Sequence, residues 1–108
     1  MQIETHGQQM DVTPALRDYV DTKLARLQRH FDQPCSIRVQ LGVDKPHHRA
    51  EATVNVAGGR SLHTDAAAPD MYAAIDVLAD KLDRLLVKHK QKRQDRKGSE
   101  SLARIHID

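Results

Sequence analysis

Histidine and cysteine are the side chains that most structural zinc sites use. The seven histidines include one adjacent pair, His47 and His48, but no two are spaced His-x3-His on a helix, and the single cysteine leaves no Cys-x2-Cys pair. Metal sites on helices and loops commonly use those spacings. The sequence therefore predicts no metal and no other cofactor.

Three further groups are candidates for a role in catalysis. Cys35 lies at the start of a predicted strand, away from any helix N-terminus that would lower its pKa. Gly58-Gly59 lacks the spacing of a phosphate-binding loop. Three acidic residues look like a set of paired catalytic acids: Asp76, Asp80 and Asp83. They lie on an exposed flank of a predicted helix, where solvated carboxylates are common. The sequence therefore predicts a protein that is not an enzyme, and nothing supports the alternative of a small hydrolase.

Basic residues are concentrated in one stretch of a nearly neutral chain. The net charge is +2, but residues 1–79 carry eight Lys and Arg against ten Asp and Glu, whereas residues 80–97 carry eight against three. Such a local excess of positive charge indicates a polyanionic partner that binds at one place.

Length and composition are those of one small domain. The chain has 108 residues, 39% hydrophobic and 30% charged, which allows a modest core without disulfides. No apolar run approaches the roughly 18 to 20 residues that span a bilayer, and the N-terminus has no signal-peptide pattern. With its single cysteine, the chain is expected to be cytoplasmic and to have no membrane partner.

Hydrophobic periodicity predicts four strands and two helices. Residues 35–43 and 49–56 alternate between apolar and polar side chains, and residues 2–6 and 60–67 alternate more weakly. The first helix begins at Thr13-Pro14, a good N-cap followed by proline at the first helical position, and extends to about His30. The second begins at Pro69-Asp70, and its apolar stripe ends at His89. Asp44 to His48 is predicted to be a turn, and Gly58-Gly59 a hairpin.

The order β-α-β-β-β-α determines the expected architecture. A right-handed crossover makes the first two strands parallel, and short turns make the last three an antiparallel meander. Each helix has one apolar stripe and each strand one apolar face. The predicted fold is therefore α+β, a two-layer sandwich with two helices on one face of a four-stranded mixed sheet. We assign residues 1–97 to this domain and residues 98–108 to a flexible tail.

Cations lie on one flank of each predicted helix. At about 100° per residue, they fall on one side of the core stripe and the aspartates fall on the other. If the helices lie side by side, the cations form one strip about 25 Å long that can neutralise phosphates. The alternative is an ordinary solvated face with pairs such as Asp80 and Arg84. The flanks consist of Lys23, Arg26, Arg29 and His30 on the first helix and Lys81, Arg84, Lys88 and Lys92 on the second.

The small number of aromatic residues restricts the class of nucleic acid. Tyr19, Phe31 and Tyr72 are the complete set, and no pair of them lies on a strand, so the sheet offers no stacking platform for single-stranded bases. Recognition by backbone and shape fits structured RNA better than base reading in a DNA major groove.

Four runs of sequence are similar to one known family. They are DVTPALRDYV (11–20), KLARLQRHF (23–31), DMYAAID (70–76) and DKLDR (80–84), and the basic run KHKQK (88–92) adds to them. Over residues 1–97 the chain resembles the short ribosome hibernation promoting factors, and the run at 70–76 is the most specific part of the match.

The resemblance implies a fold similar to double-stranded-RNA-binding domains and inhibition of translation in stationary phase. It implies binding to the 30S subunit of 70S ribosomes, in the channel for mRNA and the A- and P-site tRNAs, with basic helix side chains against 16S rRNA. It also implies formation of inactive 100S ribosome dimers. With His30 from the basic flank, the candidate RNA-binding residues are Lys23, Arg26, Arg29, His30, Lys81, Arg84, Lys88, Lys90, Lys92 and Arg93.

Two questions follow from the resemblance. The sequence ends at Asp108, so we expect it to lack the C-terminal dimerisation domain of the long-form factors. We therefore expect the protein to be a monomer away from the ribosome. We also expect it to need a separate ribosome modulation factor to pair ribosomes. Holding single 70S ribosomes inactive is the alternative outcome. Modulation of sigma-54-dependent transcription by protein contact is the alternative function.

Overall fold

The strands and helices follow the predicted order. The computed structural model describes the side chains of residues 1–29, 31 and 34–90, and it describes residues 91–107 as helical backbone. The elements are β1 (Gln2–Gly7), α1 (Pro14–Ala25) with a 3-10 turn (Arg26–Arg29), β2 (Cys35–Asp44), β3 (His47–Val56), β4 (Arg60–Ala68) and α2 (Met71–Ile107).

One mixed sheet contains all four strands in the order β1-β2-β3-β4. β1 pairs with β2 in parallel, and the other two pairings are antiparallel. The register places Ile3, Ile37, Val54 and Leu62 in one row across the sheet. Side chains two residues apart on a strand share a face, so this row belongs to the apolar face predicted from the alternation. The α+β fold with a mixed sheet is confirmed.

The core lies between that face and the two helices. α2 packs on β3 and β4, and α1 lies beside α2. Leu24 of α1 and Ile75, Leu78 and Leu82 of α2 are fully buried. These residues recur at three- and four-residue spacing, so each helix buries one stripe and leaves its flanks exposed to solvent.

Both helices begin with the caps expected from the sequence. The Thr13 hydroxyl accepts a hydrogen bond from the Leu16 backbone N–H at 3.2 Å, and the Asp70 carboxylate accepts one from the Ala73 N–H at 2.9 Å. These side chains satisfy N–H groups that have no partner within the helix. The caps determine where the charged flanks begin.

Two predicted boundaries differ from the structure by more than one residue. The α-helix ends at Ala25 and tightens into the 3-10 turn, a common way to satisfy the last carbonyl groups of a helix. His30, the predicted end, lies outside the described residues. β3 begins at His47 because Asp44 pairs with His47, which reduces the predicted turn to two residues.

For the C-terminal part of the chain, the structure describes the backbone but not the side chains. α2 is described to Ile107, but side chains beyond Lys90 are not described. The assignment of residues 98–108 to a flexible tail therefore stays a prediction. Among the described residues, no helix is long and apolar enough to span a membrane.

Candidate nucleic-acid interface

The helices run side by side in the same direction. Contacts between them keep nearly constant sequence spacing: Tyr19 meets Tyr72 and Asp76, Lys23 meets Asp76, and Arg26 meets Asp80. Successive contacts on α1 are three or four residues apart, which is one helical turn. One flank of α1 therefore faces one flank of α2 along a seam, defined here by Tyr19, Lys23, Arg26, Tyr72, Asp76 and Asp80.

Asp76 is the centre of the seam. Its Oδ1 accepts a 2.6 Å hydrogen bond from the Tyr19 hydroxyl and lies 3.3 Å from Lys23 Nζ. The Tyr19 hydrogen bond, with smaller help from Lys23, holds the pKa of Asp76 below 3.8. The same carboxylate raises the pKa of Lys23 above 10.5, so the Lys23 ammonium stays charged at neutral pH.

Arg26 forms the second ion pair of the seam. Its guanidinium donates to the Asp80 carboxylate, one turn beyond the contact between Lys23 and Asp76. The cationic flank of α1 therefore faces the acidic flank of α2. The prediction of one continuous cationic strip is wrong in this respect, because two of its members pair with aspartates that lie between the two sets of cations.

The other flank of α2 carries three exposed cations. We call Lys81, Arg84 and Lys88 the outer flank, because at about 100° per residue they fall on the side of α2 beyond Asp80 from Tyr72 and Asp76. Lys81 Nζ donates to the Asp65 carbonyl oxygen of β4 at 2.8 Å, which ties this flank to the sheet edge. Within residues 1–29, 31 and 34–90, Arg84 and Lys88 form no hydrogen bond or ion pair. Their charges are available to a polyanion.

The remaining candidate residues are separate from both sets. Arg29 is exposed on the 3-10 turn, and Lys90 is exposed on α2. His30 lies outside the described residues, and so do the side chains of Lys92 and Arg93. Their roles in RNA binding stay predictions, as does the role of every other candidate.

Sequence reasoning missed the part played by the aspartates and tyrosines. It assigned Asp76 and Asp80 to solvated surface and considered Tyr19 only as one of three aromatic residues. The sequence did contain a signal for these ion pairs, because the cationic flank of α1 is complementary to the acidic flank of α2. The two flanks meet when α1 lies on the acidic side of α2. Nothing in the periodicity of either helix says on which side the other packs.

Metal and thiol chemistry receive no support from the described residues. No group of three or more His, Cys, Asp or Glu among them is placed to hold a metal ion. Burial raises the pKa of the Cys35 thiol, which lowers its thiolate fraction at neutral pH.

Comparisons with known proteins identify the family of the chain. The family described as "Sigma 54 modulation protein / S30EA ribosomal protein" matches residues 3–94. The chain is 52% identical to a ribosome hibernation promoting factor of Azotobacter vinelandii over 89% of each chain. It is 46% identical to that of Escherichia coli K12 over 85% of this chain and 96% of that protein.

A solved structure shows the same fold. A ribosomal subunit interface protein from Coxiella burnetii superposes with a TM-score of 0.78 at 33% identity, covering 84% of this chain and 99% of that one. The resemblance to hibernation promoting factors is thereby confirmed, together with the prediction of a ribosome-binding protein rather than an enzyme. The chain belongs to the Sigma 54 modulation protein / S30EA ribosomal protein family.

Proposed function

We propose that this protein is a ribosome hibernation factor that binds the 30S subunit in the mRNA and tRNA channel and inhibits translation in stationary phase. It acts by occupying the site in a one-to-one complex. The observation that carries the proposal is the outer flank of α2, where Arg84 and Lys88 are exposed without partners among the described residues. The relatives are named ribosome hibernation promoting factors, so we assign the phosphates that these cations bind to the ribosome.

Electrostatics should dominate this binding. Each cation that neutralises a phosphate releases a condensed counterion, so affinity falls as salt rises. About four to six contacts with 16S rRNA predict a log–log slope of roughly −3 to −5. A much flatter slope would contradict a phosphate-based interface.

Charge reversal of the outer flank tests the proposal. The double variant Arg84→Glu and Lys88→Glu should lose cosedimentation with 30S subunits while its circular dichroism spectrum and melting temperature stay close to those of the parent. The matched control is Lys45→Glu with Arg60→Glu, which makes the same change in net charge at two exposed positions, one in the turn before β3 and one at the start of β4. Unchanged binding of the outer-flank variant, or equal loss in the control, would contradict the assignment.

The ribosome species formed in cells is a separate part of the proposal. We infer that the protein promotes 100S dimers together with a ribosome modulation factor, and that it is a cytoplasmic monomer when it is off the ribosome. Sucrose-gradient sedimentation of stationary-phase lysates, with and without each protein, separates 70S from 100S particles. An inactive 70S peak with no 100S peak would favour the alternative in which single ribosomes are held inactive.

The description of the family also names sigma 54, so modulation of transcription is a second candidate. It predicts binding to a sigma factor or polymerase that survives removal of ribosomes. Pull-down from a ribosome-depleted extract distinguishes the two functions.

A further inference from the structure

The two tyrosines of the chain meet at the surface, although they come from different helices. The rings of Tyr19 and Tyr72 lie 4.9 Å apart between centroids at 77°, an edge-to-face arrangement. Tyr72 is 45% exposed, so part of its ring stays open to solvent beside its aromatic neighbour. In this arrangement, Tyr19 can cover at most one face of the Tyr72 ring, so Tyr19 leaves the other face of that ring uncovered.

Tyr19 is well placed to hold Tyr72 in position. Its hydroxyl donates to Asp76, and Lys23 Nζ lies 5.4 Å from the centre of its ring, so its orientation is restrained at two points. Tyr72 follows Met71, a buried residue at the start of α2. The exposed ring is therefore a preorganised flat surface, and a ligand that stacks on it does not have to order it first.

The charges around Tyr72 select the kind of ligand. Lys23 pairs with Asp76 and Arg26 pairs with Asp80, so the seam beside the ring has little net charge. A phosphate gains little there, whereas a neutral planar group avoids the cost of removing an ion from water. The cations of the outer flank, which suit phosphates, lie elsewhere on α2, with Arg84 about 18 Å along the helix axis from Tyr72.

An apolar protein segment is a poorer fit to this position. The other large exposed apolar residues among the described part of the chain are Val43, Val77 and Val87. Val77 is five residues beyond Tyr72 on α2, which places it about 140° around the helix. Tyr72 is therefore an exposed ring whose aromatic neighbour is Tyr19, and it is not part of an apolar groove.

We propose that an unpaired nucleobase of the bound RNA stacks on the exposed face of Tyr72. This inference rests on the proposed function, since it adds a base-stacking site to an interface otherwise made of phosphate contacts. Stacking is tolerant of sequence because every base has a π-face. It would position the domain at a single-stranded or bulged part of the RNA, where a base can leave the helix.

The experiment compares Tyr72→Phe, Tyr72→Leu and Tyr72→Gln for binding to 30S subunits, with chemical probing of the bases in each complex. Phe keeps the ring and should bind like the parent. Leu and Gln should bind about tenfold more weakly, within the range that stacking provides. One base whose reactivity changes in the parent and Phe complexes should return to its free reactivity in the Leu and Gln complexes.

Four outcomes would overturn the inference. The first is that all variants bind 30S subunits equally, and the second is that the Phe variant loses as much affinity as the Leu and Gln variants. The third is that affinity falls but no base has a reactivity that depends on residue 72. The fourth is that no base changes reactivity in the parent complex. The third result would indicate a contact with protein. Because the parent complex is probed by itself, a variant that fails to fold does not remove the test. Failure of the parent protein to bind 30S subunits would overturn both this inference and the proposed function, whereas the four outcomes leave the latter standing.

Discussion

Lys23 of α1 lies 3.3 Å from Asp76 of α2, and the same carboxylate oxygen accepts a hydrogen bond from Tyr19. One aspartate thus joins a cation and an aromatic ring of the facing helix. The pairing neutralises a residue that would otherwise be assigned to phosphate binding from its type alone. It also separates the cations of α1 from those of the outer flank of α2.

Asp76→Asn should lower the melting temperature at pH 7 by about 2 to 5 °C, the range for a partly exposed ion pair. The pKa of Asp76 is lowered in the folded protein, so the carboxylate stabilises the fold above its ordinary value of 3.8, and this contribution is lost as the pH falls through the folded pKa. The difference between parent and variant should therefore shrink well below pH 3.8. Thermal melts across pH 2 to 7 measure it.

The matched control for this melt is Asp21→Asn. Asp21 is an exposed carboxylate in the middle of α1 that forms no ion pair within residues 1–29, 31 and 34–90. It should change the melting temperature little at any pH. Equal effects of the two substitutions would show that net charge, and not the contact with Tyr19 and Lys23, accounts for the result.

Tyr19 should ionise at unusually high pH. Its hydrogen bond to Asp76 raises the pKa of the phenol above 10.0, with burial as the next cause. Tyr72→Phe leaves Tyr19 as the single tyrosine, so phenolate absorbance then reports on it alone. The midpoint should lie above 10.0 and should fall when Asp76→Asn is added. Because the folded pKa is raised, this hydrogen bond stabilises the fold below pH 10 and is lost as the pH rises through the folded pKa.

An unchanged midpoint in the Tyr72→Phe and Asp76→Asn double variant would show that the hydrogen bond to Asp76 does not persist in solution. Measuring the midpoint in urea supplies the unfolded reference value. It also separates the effect of the fold from any effect of the substitutions on the free chain.

The strands and caps could be predicted because their determinants are local. Ile37, Val39 and Leu41 alternate with polar residues, and that pattern alone assigns a buried face. Thr13 and Asp70 identify the helix starts because a capping side chain acts on an N–H only three residues away. These are interactions that a linear pattern contains.

The seam could not be predicted in the same way. Each helix shows a cationic and an acidic flank, but which flanks meet depends on where the helices sit on the sheet. α2 covers β3 and β4, so α1 lies on its acidic side and Lys23 meets Asp76. The Tyr19 and Tyr72 pair has the same origin, since its members are 53 positions apart in the chain. Tertiary placement, and not residue type, decides which cations are free.

Gly7→Ala should destabilise the fold by about 1 to 3 kcal/mol, the usual cost of forcing an atom into a filled space. A Cβ at Gly7 would lie 1.9 Å from the Met10 carbonyl oxygen, so the backbone after β1 has to move. Urea unfolding measures the difference. Gly42→Ala is the control within the sheet, because its Cβ would make only ordinary contacts of 3.7 Å with Gln8. Equal losses in the two variants would contradict the steric explanation.

Salt dependence should distinguish the paired cations from the free ones. If Lys88 neutralises a phosphate, Lys88→Gln should reduce the magnitude of the log–log slope for 30S binding by about 0.7 to 0.9. Lys23→Gln should change it by less than half as much, because Lys23 already shares its charge with Asp76. Binding isotherms at four or more salt concentrations give each slope, with Lys45→Gln in the turn before β3 as the control.

Asp76→Asn then provides the decisive comparison for the pairing. Removing the carboxylate frees the Lys23 ammonium without adding a cation, so the slope should become steeper and the affinity at low salt should rise. In the Asp76→Asn background, Lys23→Gln should reduce the magnitude of the log–log slope as much as Lys88→Gln does in the parent. The reason is that both cations are then available to phosphates. Equal slope changes for the two lysines in the parent protein would mean that Lys23 leaves Asp76 when RNA binds, and the seam would then be part of the phosphate-binding surface.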